Sequence, residues 1–279
     1  MNEVVHSADS QLRSPRRFAS DLRADLRVAP EVAWRLFLHG LRAGYRRSRL
    51  GYLWLLLPPS ATAAMWVYLN RARVLDVGPT EVPYPVYVLA GTLLWQVFVE
   101  ALHSPLQQLS AARNILTKSR TPHEALMLAG VFEVAFNFCV RAAVIVPALV
   151  WFGTAWSFSA LLLAPVGAAS LLLLGYSLGL LLTPLGLLYQ DVSRGLNLFA
   201  GFWFFLTPVI YQSPERGPAA LLSTLNPVAP LLLTTRRWLT LGAVAPARGF
   251  LPVIVLSVLL LALALVCYRL AKPHLVARL

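Results

Sequence analysis

The sequence predicts an all-α integral membrane protein with six transmembrane helices, and three observations lead there. The 279-residue chain is 58% hydrophobic and only 13% charged, with a mean hydropathy of +0.65. Soluble domains are about 45–50% apolar and about 25% charged. Its apolar residues gather into runs near the length of about 20 that a spanning helix needs. The 20 prolines and 16 glycines argue for broken or kinked helices over a plain bundle.

The elements follow in order. Residues 1–29 form a polar N-terminal segment, with a short amphipathic helix at 15–27 carrying Phe18, Leu22 and Leu26 at spacing four. Residues 30–49 read as an amphipathic interfacial helix. Pro30 suits its first turn. Trp34, Leu38, Leu41 and Tyr45 share one face, and Arg35, His39, Arg42 and Arg46 another. That pattern fits a basic helix lying in the membrane interface. The six-helix domain occupies 50–270, with spans expected at 50–70, 84–108, 125–150, 159–183, 195–212 and 250–270. The apolar stretch 219–234 is too short and too Pro-rich to span. It reads as a re-entrant or interfacial hairpin between helices five and six, which needs protein or water around its broken backbone. Residues 271–279 form a tail.

Six crossings put both termini on one side. Seventeen Lys and Arg fall on that side and six on the other, with Arg141 left inside a span. The positive-inside rule then makes both termini cytoplasmic. The net charge of +12 is therefore read as topology, not nucleic-acid binding, because the aromatics lie inside apolar runs and not among the arginines. Cys139 and Cys267 each sit in an apolar run, and the five histidines form no ligand spacing, so no disulfide framework or metal site is expected. The first apolar run starts too late for a cleavable signal peptide. No GxxxxGK[ST] pattern occurs, so ATP hydrolysis would have to come from another subunit.

Helix three carries Glu133, Asn137 and Arg141 at spacing four, in one row. A charge at the bilayer centre costs about 2.5–3.5 kcal/mol on insertion scales, so the row should face protein or water. Asn137 can bridge partway between Glu133 and Arg141. A structural seam between helices, part of a hydrated path, and a proton relay helped by Glu100 all remain open. Gly175 and Gly179 permit close helix packing.

Several runs resemble the ABC-2 type permeases of polysaccharide export. Tyr45-Arg46-Arg47-Ser48-Arg49-Leu50-Gly51-Tyr52-Leu53-Trp54 with Pro58 is similar to the entry of their first span. Val82-Pro83-Tyr84-Pro85-Val86-Tyr87 and Leu94-Trp95-Gln96-Val97-Phe98 resemble the second. Leu116-Thr117-Lys118 and Pro122 resemble the loop that follows. Thr207-Pro208-Val209-Ile210-Tyr211, Leu225-Asn226-Pro227 and Arg236-Arg237 resemble the outer end. Gln190 departs from the family, which often has Arg before the Asp.

The resemblance implies a multi-pass permease of the bacterial inner membrane. It would pair with a second copy and join two ATPase subunits that bind ATP and Mg; this chain itself holds no cofactor. A lipid-linked polysaccharide (O-antigen, teichoic acid, capsule or galactan) would be the cargo. Arg42, Arg46 and Arg47, with Arg113, Lys118 and Arg120 in the 109–124 loop, become candidate contacts to the ATPase. Sugar rings stack on aromatic planes, so Trp54, Phe199, Phe202, Trp203, Phe205 and Tyr211 are candidates to line the channel. Asn226, Pro227, Arg236 and Arg237 are candidates for an outer gate. The alternatives are an ABC-2 permease for a drug or small lipid, an ion-driven secondary transporter, and a membrane enzyme. The last lacks a convergent catalytic set.

Overall fold

A computed structural model describes residues 15–46, 51, 53–74, 78–112, 123–154, 158–213, 217–242 and 245–276. Among them all regular structure is helical: α1 Pro15–Arg46, α2 Leu53–Arg71, α3 Tyr84–Ala111, α4 His123–Trp151, α5 Phe158–Leu188, α6 Gln190–Leu206, α7 Pro218–Leu225, α8 Val228–Thr240 and α9 Phe250–Val276. Four are long and apolar enough to cross a bilayer: α3, α4, α5 from Leu162, and α9 to Pro273. Helices α2 and α6 have 19 and 17 residues, the short end of the spanning range of about 17–25.

Helix α3 is the axis of the fold. Pro83 caps it in an extended conformation and Pro85 sits in its first turn, where a missing N–H removes no helical bond. Most of its residues are buried, from Val86 to Leu109. Helix α5 lies against it because two glycines remove the side chains between them. A Cβ on Gly175 would strike the Phe98 carbonyl, and one on Gly179 the backbone of Leu102. The spacing of four that the sequence offers thus becomes a backbone-to-backbone contact. Helix α4 meets α3 where Gly130 faces Ser104 and Gln108. Helix α9 packs on α5, joined by Ser177 Oγ donating to the Ser257 carbonyl at 3.0 Å. The outer face of α9 stays apolar and exposed at Leu251, Val255, Leu259 and Leu263, as a lipid-facing helix requires.

Three expectations change. The N-terminal helix is continuous from Pro15 to Arg46, with Pro30 inside it and not at a start. Its buried row is Ala29, Ala33 and Phe37, not the row through Trp34, which is 51% exposed. The small side chains let α1 approach Ala125 and Ala129 of α4, and the rings of Trp34 and Phe37 close on Phe132. Helix α6 begins at Gln190 and stops at Leu206, ahead of Thr207-Pro208, because proline cannot donate to the next turn. Between α6 and α9 the chain forms a helical pair, α7 and α8, about the turn at Asn226-Pro227. Most of α8 is buried against α5 and α3, with Gly167 making room for Thr235.

Candidate functional site

Polar groups concentrate at three places along α3. At one end, the broken backbone after α6 is held from both sides. The Asn226 Oδ1 accepts from the Trp203 indole at 3.0 Å and from the Val228 amide at 3.0 Å. Its Nδ2 donates to Thr207 Oγ1 at 2.8 Å and the Leu206 carbonyl at 3.3 Å. The amide of Asn226 therefore ties the α7–α8 turn to the end of α6. Arg236 is 2% exposed and donates to the Pro208 and Val209 carbonyls, both at 3.0 Å, and to the Tyr87 hydroxyl. Tyr87 in turn donates to the Tyr211 carbonyl at 2.8 Å. Burial lowers the Arg236 pKa to about 10, opposed by Tyr87 and Glu81, so the guanidinium stays cationic at neutral pH. Arg237 pairs with Glu81 at 2.7 Å, nearer the surface. Pro227 starts α8.

Midway, the α4 row meets α3. Arg141 forms an ion pair with Glu100, and Asn137 Nδ2 donates to the same carboxylate at 3.1 Å. Glu133 instead accepts from Gln108 at 2.7 Å. The expected bridge by Asn137 between Glu133 and Arg141 does not form, since both ends of the row find partners across the helix interface. The row therefore meets α3 along its length.

On the other side of α3 a groove of about 310 Å³ opens between α2, α3 and α6. Its walls include Thr62, Thr92, Trp95, Gln96, His103, Asn197 and Phe204. Beside it, α6 divides its aromatics. Trp203 and Phe204 pack edge-on against Phe98 and Trp95. Phe199, Phe202 and Phe205 are exposed, the last touching Trp66 of α2. Trp54 is exposed at the start of α2. Tyr211 donates to the Phe205 carbonyl at 2.9 Å. Of the candidate ATPase contacts, Arg42 is exposed on α1 and Arg46 is its last residue. Arg47, Arg113, Lys118 and Arg120 lie outside the described residues.

One cluster is absent from the sequence reading. Glu124 is 6% exposed at the start of α4 and pairs with Arg269 at 2.9 Å and Lys272 at 3.7 Å. His123 beside it meets the Tyr268 hydroxyl at 2.6 Å. Two cations three residues apart at the end of one apolar helix, and a lone carboxylate at the start of another, are the signal. It becomes a contact only when both ends lie on one side. Helix α1 packs along the half of α4 that begins at this cluster, from Ala125 to Phe136.

No family model matches the chain. Curated relatives do. The O-antigen export system permease protein RfbA of Klebsiella pneumoniae is 26% identical over 200 residues, 70% of this chain and 75% of that protein. The protein of the same name from Myxococcus xanthus is 26% identical over 195 residues, 69% of this chain and 74% of that one. Over about 70% of its length the chain is thus similar to O-antigen export permeases, and four of its described helices are long and apolar enough to cross a membrane.

Proposed function

We propose that this chain is the permease subunit of an ATP-driven exporter that carries a lipid-linked polysaccharide out across the bacterial inner membrane. The observation that carries it is the 200-residue similarity to an O-antigen export permease. The sequence holds no P-loop, so two ATPase subunits, binding ATP and Mg, drive a pair of permease chains from the cytoplasmic side.

In this reading α2 and α6 complete six crossings with α3, α4, α5 and α9. Both termini are cytoplasmic, α1 lies in the interface with its Arg42 face toward the ATPase, and the basic 109–124 sequence supplies a second contact. The α7–α8 pair is the re-entrant outer hairpin and, with Asn226, Pro227, Arg236 and Arg237, forms the outer gate. The exposed aromatics of α6, with Trp54, border the conduit between two copies. A face rich in aromatic rings is suited to stacking on sugar rings, which supports placing the conduit there. Export in vesicles holding both subunits, ATP and the lipid-linked glycan tests the proposal. Export should stop when the ATPase is left out; equal export without it overturns the reading.

A further inference from the structure

The groove between α2, α3 and α6 contains a polar atom that the fold leaves unused. His103 is 6% exposed, and its Nδ1 lies 2.8 Å from the Val99 carbonyl. A carbonyl only accepts, so Nδ1 carries a proton and Nε2 is the ring nitrogen left for another partner. That Nε2 is buried without a partner among the described residues. A buried polar atom left without a partner is unfavourable, and this one belongs to a side chain that lines an open groove.

The rest of the lining fits one kind of occupant. Gln96 lies seven residues before His103, on the same face of α3, and Asn197 and Thr62 bring an amide and a hydroxyl from the facing helices. Trp95 and Phe204, with ring centroids 5.8 Å apart, supply an aromatic wall. Ala200 and Gly201 keep the α6 side low, and a Cβ on Gly201 would meet nothing within 4 Å. Among the described residues no charged side chain lines the groove, so none of them would neutralise a phosphate. Neutral amides, a hydroxyl and an acceptor nitrogen beside aromatic rings suit a neutral polyhydroxylated ring. A volume of about 310 Å³ is at the small end of ligand pockets, about 300–1,000 Å³.

We infer that this groove is a binding subsite for one neutral sugar ring, with His103 Nε2 accepting a hydrogen bond from a sugar hydroxyl. The inference rests on the export reading only in taking that ring to be part of the cargo.

The test uses the full chain in a detergent without a sugar head group, since such a head group is itself a candidate ligand. Neutral oligosaccharides of glucose, galactose, mannose and rhamnose are the probes, read by saturation-transfer NMR. At least one should bind, and pyrophosphate should not displace it. Gly201→Leu, which fills the groove without removing a polar atom, should weaken binding at least tenfold. His103→Phe should weaken it about fivefold, and His103→Gln, which keeps an acceptor, should recover part of that. Binding by none of the sugars overturns the proposal. So does displacement by pyrophosphate, or unchanged binding in a Gly201→Leu protein that elutes and melts like the parent. If His103→Phe does not fold, Gly201→Leu decides alone. ATP-driven export that survives with the groove blocked sinks the subsite and leaves the permease reading intact. Sugar binding without ATP-driven export does the reverse.

Discussion

The Trp203 indole and the Asn226 side chain, 23 residues apart in sequence, form a 3.0 Å hydrogen bond that closes the α7–α8 turn onto α6. Asn226 makes three further bonds, to Val228, Thr207 and Leu206. Trp203→Phe removes one donor and keeps the ring contacts with Phe98, so it should cost about 1 kcal/mol. Asn226→Leu leaves several buried groups unpaired at about 1–3 kcal/mol each. Melting of the purified chain should fall clearly further for Asn226→Leu than for Trp203→Phe. Equal melting would mean that the bonds at this corner contribute little.

Arg141 and Glu100 are the second test. Arg141 is 3% exposed, and its partner carboxylate is 26% exposed. Removing one member of a buried ion pair typically costs about 3–5 kcal/mol, whereas replacing both with apolar groups is often neutral. Arg141→Leu and Glu100→Leu should each lower folded yield strongly, and the double variant should recover most of it. Glu133→Gln keeps a hydrogen-bonding group beside Gln108 and should have little effect on yield. A double variant no better than either single one would show that the charges themselves are needed, as a coupling site would require.

What the sequence made legible was periodic and local. Helices α3, α4, α5 and α9 follow from the length and hydropathy of their runs, and Gly175-xxx-Gly179 marks a face for close helix packing without naming α3 as its partner. The start of α6 was hidden because Asp191, Arg194 and Asn197 interrupt the apolar pattern over its first turns. Pro30 was taken for a helix start because a proline removes no bond in a first turn; inside α1 it removes one bond of many. Arg141 stood out as an intramembrane charge. So did Glu100, but their pairing did not, because spacing relates residues on one helix and says nothing of the register between α3 and α4. Arg236 was the subtlest case. Thr207-Pro208 breaks a helix in apolar surroundings and strands its carbonyls, so a nearby buried donor was required. Which arginine would supply it depended on the depth to which α8 packs.

Gly179 tests the packing of the axis. A Cβ there would enter the backbone of Leu102, an atom that cannot move aside without shifting α3. Overpacking typically costs about 1–3 kcal/mol, and Gly179→Val should exceed Gly179→Ala. Gly201→Ala serves as the control, because its Cβ meets nothing within 4 Å and alanine favours the helix by about 1 kcal/mol. Thermal melting should order the variants Gly201→Ala, parent, Gly179→Ala, Gly179→Val, from most to least stable. A Gly179→Val protein that melts like the parent would show that α3 and α5 do not meet as described.

Topology can be read from three single cysteines in a chain whose native Cys139 and Cys267 are replaced by serine. Arg42 on α1 lies beyond Phe37, whose ring meets Phe132 and Phe136 of α4, and Lys272 near the end of α9 pairs with Glu124 at the start of α4. Arg73, exposed just past the end of α2, lies one crossing away from α1 in the six-span reading. A membrane-impermeant maleimide added to intact cells should label Arg73→Cys and spare Arg42→Cys and Lys272→Cys; after the membrane is opened, all three should react. The six-span reading puts Arg42 and Lys272 on one side, so labelling of one without the other would contradict that topology. Labelling of both, with Arg73→Cys protected, would keep the fold and turn the molecule over, placing its basic surface away from any cytoplasmic ATPase.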